Sequence, residues 1–135
     1  MIKVQRFGRA AMPTRMCAAA SRVWRTSFGA TPNEEVPWWE LTTWLALKSG
    51  RVVGLCTSQR RREHSVTATW VTNLCVAQRH RGRGIATRLL QAVQESEGRL
   101  ALTAEDGLAP FYRNHGFAVH DTRRGVVFVR ECDPM

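Results

Sequence analysis

Apolar and polar positions along this chain recur with two different periods, and the switches between them mark out the elements. Residues 2–4 (Ile-Lys-Val) read as a short strand. Met16, Ala19, Ala20, Val23 and Trp24 then recur at helical spacing and make one apolar face. A proline-bounded stretch over 31–40, containing Trp38 and Trp39, reads as a short helix or loop. Residues 41–48 read as a strand, Ser49-Gly50 as a hairpin turn and 52–57 as the next strand. Residues 60–64 are polar throughout and read as a second hairpin connection, leading into a β-branched strand over 66–76. A helix begins at Ile85: Ile85, Ala86, Leu89, Leu90 and Val93 share one face, with Arg88, Gln91 and Glu95 opposite. After Gly98 come a strand over 100–103, a short helix holding Tyr112, and strands near 117–120 and 126–130. This alternation predicts an α/β fold with a mixed sheet.

The start of the helix at Ile85 breaks the usual rules. The four amides that open a helix have no partner inside it, and Ser, Thr, Asp or Asn normally caps them. Here no such residue precedes Ile85, and the lead-in Gln78-Arg79-His80-Arg81-Gly82-Arg83-Gly84 carries three arginines. Positive charge at the positive end of a helix dipole is the wrong sign for a helix standing alone. A bound anion resolves both problems, because it takes the amides and pairs with the arginines. Gly82 and Gly84 fit the same reading, since glycine lets the backbone turn tightly and approach a ligand without Cβ clashes. The competing reading is an ordinary strand-loop-helix corner with its arginines in water. The ligand expected from the anion reading is phosphorylated.

Arg79-x-x-Gly82-x-Gly84 resembles the Arg/Gln-x-x-Gly-x-Gly/Ala signature of the GNAT superfamily, the acetyl-CoA-dependent N-acetyltransferases. Phe111-Tyr112-Arg113-Asn114-His115-Gly116-Phe117 resembles that family's FY-x-x-x-GF segment, and the two stand in the family's order with a helix and a strand between them. The resemblance implies a mixed, mostly antiparallel central sheet flanked by helices and splayed at the cofactor-binding strand. It implies acetyl-CoA as cofactor and a small-molecule or peptide amine as acceptor. By the same resemblance, Arg81, Gly82, Arg83, Gly84, Ile85 and Ala86 bind the pyrophosphate, with the Arg79 and Arg83 side chains as supporting charges. The backbone amides of Leu74, Cys75 and Val76 hold the pantetheine arm and polarise the acetyl carbonyl. Tyr112 is the expected acid, because a phenol near its reference pKa of about 10 is protonated at neutral pH and can give its proton to a departing thiolate. A plainer account makes Tyr112 a packing residue beside a core Phe111, and Gly116-Phe117 a left-handed helix stop with its hydrophobic contact.

Many family members carry a Glu or His on the strand before the glycine loop as general base. Residues 66–76 hold no titratable group except Cys75, which reads as a small core residue. Glu63, His64, Glu105 and Asp106 are the nearest alternatives in sequence. Trp38, Trp39 and Trp70 are candidate walls of the acceptor pocket, with core packing the simpler role for Trp70.

Composition narrows the classes further. At 135 residues the chain suits one domain with a modest core, and no run approaches the roughly 20 apolar residues of a membrane-spanning helix. Cys17, Cys56, Cys75 and Cys132 lie far apart without zinc spacing, so no metal site is expected and reduced thiols in the cytoplasm are. The net charge of +9 is uneven. Residues 1–30 carry six basic residues and no acid, and residues 59–88 carry seven against Glu63 alone. The first run has the composition of a transit peptide. The strand and helix read within it, which the GNAT fold requires, argue against that. A phosphorylated cofactor accounts for part of the second run and none of the first. The charge alone also fits a basic nucleic-acid-binding module, the alternative to the enzyme, as does a CoA-binding fold without turnover. Under the enzyme reading nucleic-acid binding is weak and non-specific; a homodimer is left open.

Overall fold

The apolar and β-branched runs pair into one sheet, in the order β1-β2-β3-β4-β5-β7-β6. The structure is a computed structural model that describes residues 1–8, 11–28, 41–104, 108–122 and 125–131. The strands are β1 (Ile2–Phe7), β2 (Thr42–Lys48), β3 (Arg51–Glu63), β4 (Val66–Val76), β5 (Leu100–Ala104), β6 (Ala118–Thr122) and β7 (Gly125–Arg130); the helices are α1 (Thr14–Phe28), α2 (Ile85–Glu97) and α3 (Ala109–Asn114). Every neighbouring pair is antiparallel except β4 and β5. The proline-bounded stretch over 31–40 lies outside the described residues.

Successive side chains of a strand point to opposite faces, and here both faces are covered. On one face Ile85, Leu89, Leu90 and Val93 of α2 pack on Trp44, Ala46, Cys56 and Val71. On the other, Ala20 and Val23 of α1 pack on Leu45, Leu47, Leu55 and Cys75. That is why residues 43–47 of β2 are an unbroken buried run instead of an alternating one. Gly54 sets how closely α2 approaches. A Cβ there would stand 3.2 Å from Ile85 Cγ2 and the Cys75 carbonyl, and 3.3 Å from Leu89 Cδ1.

The first two hairpins turn on two residues each. Ser49-Gly50 does so with φ of 50° and 78°, and His64-Ser65 with 49° and 62°. Positive φ at both central positions matches the right-handed twist of the flanking strands. The second hairpin corrects the sequence expectation: residues 60–63 are not a connection but the end of β3, paired from Arg60↔Thr69 to Glu63↔Val66. Polarity misleads here because β2 ends at Thr42, opposite Ser58, so the side chains of Gln59, Arg60, Arg62 and Glu63 are exposed. β1 likewise extends beyond the expected residues 2–4 to Phe7.

Two irregularities open the sheet. Asn73 pairs with Thr57 but Val71 pairs with Ser58, leaving Thr72 as the extra residue of a bulge in β4. On its other edge, β4 meets β5 only at Thr69↔Leu100 and Trp70↔Ala101. Beyond Trp70 the two parallel strands part, and β5 continues along β7 to Ala104↔Val126. Residues 71–76 therefore run on with one edge of their backbone unpaired within the sheet.

Replacing Gly54 by Val should force α2 off the sheet. Overpacking of this kind costs about 1–3 kcal/mol, to be read as a lower midpoint of urea unfolding with an unchanged slope.

Candidate active site

The gap between β4 and β5 continues into a cavity of about 430 Å³ bounded by the end of β4, the glycine loop, the first turn of α2 and helix α3. Leu74, Cys75 and Val76 line it from the strand. Their backbone groups do not all face the same way. Ala77 N–H donates to the Val53 carbonyl at 2.8 Å, so by alternation Cys75 also directs its backbone into the β3 ladder. Leu74 and Val76 then face the unpaired side. The Val76 carbonyl, outside that ladder, accepts from Arg81 Nε at 3.0 Å, which folds the arginine back over the strand end.

Past Val76 the chain makes a 3₁₀ turn at Gln78–His80 and reaches Gly82 and Gly84 with φ of 76° and 78°. Gly84 is the residue before α2, in the left-handed conformation, and no side chain caps the helix. The first helical bond runs from Arg88 N–H to Gly84 O, so the N–H groups of Ile85, Ala86 and Thr87 have no partner within the helix. No acidic residue stands in the first turn. A Cβ on Gly82 or Gly84 would meet no protein atom within 4 Å, so both border open space. Gly82, Gly84, Ile85, Ala86 and the Arg81 side chain line the groove. Arg79 and Arg83 do not; they line a neighbouring cavity. His80 lines both. Partial burial, then the charges of Lys48, Arg83 and Arg79, hold its pKa below the usual imidazole value, and its buried Nδ1 has no hydrogen-bond partner.

Tyr112 reaches the groove from α3. Its ring packs edge-on against Phe111 and Phe117 at 5.1 and 5.6 Å, and tilted against Phe128 at 5.4 Å. The hydroxyl makes no hydrogen bond to a protein group among the described residues. Burial, and then the neighbouring Cys56, raise the phenol's pKa above its usual value, so it is protonated at neutral pH. Phe111 departs from the expectation of a core residue: it is half-buried, lines the groove and stacks on His115 at 4.3 Å. Gly116 is the left-handed stop that ends α3, at φ 84°, with the Phe117 N–H bonded to the Tyr112 carbonyl at 3.0 Å.

Three further features escaped the sequence reading. Leu108 and Thr87 also line the groove. His115 ties the end of α3 to the first turn of α2: Nδ1 donates to the Phe111 carbonyl at 2.7 Å, and Nε2 meets Thr87 Oγ1 at 2.6 Å. The third is the pinning of the bulge. Thr57 Oγ1 meets Thr72 Oγ1 at 2.7 Å and accepts from Asn73 Nδ2 at 2.8 Å, while Thr72 Oγ1 donates to the Thr57 carbonyl at 3.2 Å. A cluster of Thr and Asn between two strands has no sequence signature.

Among the candidate bases, Glu63 pairs with Arg61 at 2.6 Å and His64 sits in the hairpin turn. At ~3.3 Å per residue they lie roughly 26 Å along β4 from Leu74, too far to act there. Glu105, Asp106, Trp38 and Trp39 lie outside the described residues, as does Cys132. Trp70 is fully buried, with Nε1 donating to the Val66 carbonyl, and does not line the groove. Among the described residues no group of three His, Cys, Asp or Glu side chains comes together to hold a metal, and no helix is long and apolar enough to cross a membrane.

Across residues 39–119, more than half of the chain, the sequence matches the model of the acetyltransferase (GNAT) domain. The chain belongs to the GNAT acetyltransferase family. No curated protein matches it in sequence. Solved structures share its fold at low identity. An acyl-CoA N-acyltransferase from Pseudomonas aeruginosa superposes with a TM-score of 0.74 at 16% identity, covering 96% of this chain and 99% of that one. Escherichia coli ElaA gives 0.68 at 16%, covering 97% and 100%. N-acetylglutamate synthase from Neisseria gonorrhoeae, complexed with coenzyme A and N-acetyl-glutamate, gives 0.68 at 13%, covering 98% of this chain and 36% of that one. The splay of β4 from β5 is thus set in a GNAT fold.

Thr57 is fully buried and serves both Thr72 and Asn73. Thr57→Val removes the hydroxyl that Thr72 and Asn73 share, while Thr72 Oγ1 keeps its bond to the Thr57 carbonyl; the loss should cost about 1 kcal/mol, seen as a lower melting temperature. A neutral result would show that the bulge holds without the network.

Proposed function

We propose that the protein is an N-acetyltransferase that moves an acetyl group from acetyl-CoA to a primary amine by direct attack, with residues 1–135 working as one catalytic domain. The observation that carries this reading is the uncapped start of α2. Three unpartnered amides, two left-handed glycines bordering open space and the Arg81 guanidinium converge there beside a strand with a free backbone edge. This donor set suits a pyrophosphate followed by an amide-bearing arm, which is the chemistry of coenzyme A. The structural neighbour from Neisseria gonorrhoeae, complexed with coenzyme A and an N-acetylated amino acid, supports the same ligand.

When bound, acetyl-CoA supplies an acetyl thioester. Ile85, Ala86 and Thr87 bind the pyrophosphate through their N–H groups, and Arg81 adds charge. Gly82 and Gly84 keep that approach clear. Leu74 and Val76 hold the pantetheine arm and orient the carbonyl through backbone groups; Cys75 supports them as part of the β3 ladder. Tyr112 delivers its proton from Oη to the sulfur that leaves. No carboxylate lines the groove among the described residues, so the acceptor, a small-molecule or peptide amine, reacts as the neutral base. We place the protein in a reducing compartment, the cytoplasm, where Cys17, Cys56 and Cys75 stay as thiols.

Gly82→Asp sets a carboxylate where the pyrophosphate would sit, without a protein clash. CoA affinity by calorimetry should fall on the order of a hundredfold or more, with the melting temperature lowered modestly because Asp at φ 76° is strained by about 1 kcal/mol; unaltered affinity would sink the cofactor assignment. Tyr112→Phe removes a hydroxyl that has no protein partner among the described residues, so stability should hold. With saturating acetyl-CoA and an amine selected by an acceptor screen, kcat should drop by about a hundredfold, the lower end for a positioned acid. An unchanged kcat, with chemistry rate-limiting, would return Tyr112 to packing. A screen that finds CoA binding but no turnover on any amine would favour a binding protein instead.

A further inference from the structure

The groove leaves two of the loop's three arginines without a task. Arg79 and Arg83 turn away from it into an adjoining cavity of about 890 Å³, which Lys48 and Arg51 enter from the β2–β3 hairpin. No Asp or Glu lines that cavity among the described residues. None of the four cations has an ion-pair or hydrogen-bond partner for its side chain among them either. Four like charges around one hollow repel one another unless an anion lies between them. Their field is already felt at His80, the residue shared with the groove, where Lys48, Arg83 and Arg79 all favour the neutral ring. The positive surface also continues outward: Arg51 lines a third hollow with Arg15 and Arg22 of α1. Two basic runs far apart in sequence therefore meet on this side of the loop.

We propose that this cavity is a second phosphate site, separate from the pyrophosphate cradle, in which Lys48, Arg51, Arg79 and Arg83 hold a phosphomonoester dianion. A concave pocket with converging cations suits a compact terminal phosphate. That group has two sources. One is the 3′-phosphate of the coenzyme A held in the adjoining groove, and this source rests on the cofactor reading above. The other is a separate small phosphorylated ligand, which does not.

Calorimetry on the full chain separates them, using CoA, 3′-dephospho-CoA and inorganic phosphate as probes. The wild type is compared with a Lys48→Ala/Arg51→Ala double variant, whose changes flank a surface turn and should leave the melting temperature alone. If the 3′-phosphate is the occupant, the wild type prefers CoA over dephospho-CoA by on the order of ten- to a hundredfold, and the double variant binds the two alike. If a separate ligand is the occupant, CoA and dephospho-CoA bind equally, and inorganic phosphate binds the CoA-saturated wild type but not the variant. A preference for CoA that survives the double substitution overturns the site, as does equal binding of both cofactors with no phosphate uptake. Should the wild type fail to bind CoA at all, the cofactor reading falls. Phosphate titration of the unliganded protein then decides this cavity alone.

Discussion

The interaction on which this structure turns is one that stops: the parallel ladder between β4 and β5, which ends at Trp70↔Ala101. An unpaired backbone N–H or carbonyl is costly when buried, so a strand that leaves its neighbour needs other partners or an open edge. Here both occur. Val76 gives its carbonyl to Arg81, while the groove exposes the edge at Leu74. The departure is held from the opposite side, where Thr57 of β3 is bonded to both Thr72 and Asn73 at the bulge. A bulge bends its strand and adds twist, so these hydrogen bonds govern how far β4 swings from β5. The groove follows from a defect in the sheet that β3 keeps in place.

The glycine loop works under a related constraint. Arg81 and the free amides of α2 present positive potential to one corner, which weakens the protein standing alone. The fold tolerates this because the helix is anchored elsewhere. Ile85, Leu89, Leu90 and Val93 are buried, and Gly54 lets them sit hard against β3. Packing supplies the stability that capping would have contributed, and the α2 N-terminus stands uncapped.

Those same two features explain what was legible in the sequence. β4 and the start of α2 were read with their observed first residues, and Val66–Val76 with both ends, because a β-branched run bounded by turn residues leaves little choice. Residues 60–63 look like a connection because β2 does not reach them and their side chains are mostly polar and exposed, although β4 pairs with them throughout. Arg79, Arg81 and Arg83 alternate along the loop, yet only the folded backbone separates them into two cavities; a motif treats the three alike. Phe111 was expected in the core because an aromatic pair offers no sign of which ring faces the cleft. His115 drew no notice, since its bonds reach across to Thr87, 28 residues earlier.

The titratable groups around the groove share one tendency. Tyr112 has its pKa raised and so does Cys56 behind it, and His80 has its pKa lowered. In each case burial is the first cause, and burial disfavours whichever form is charged. The result is a neutral phenol, a neutral thiol and a neutral imidazole facing or backing a cleft whose fixed charge among the described residues is Arg81. Such a cleft attracts an anion and offers no counter-charge to a cation. An ammonium group entering it would be desolvated beside a guanidinium, whereas a neutral amine loses little. If the proposed function holds, the electrostatics that favour a phosphorylated cofactor also act on the acceptor, by selecting the protonation state in which an amine can attack.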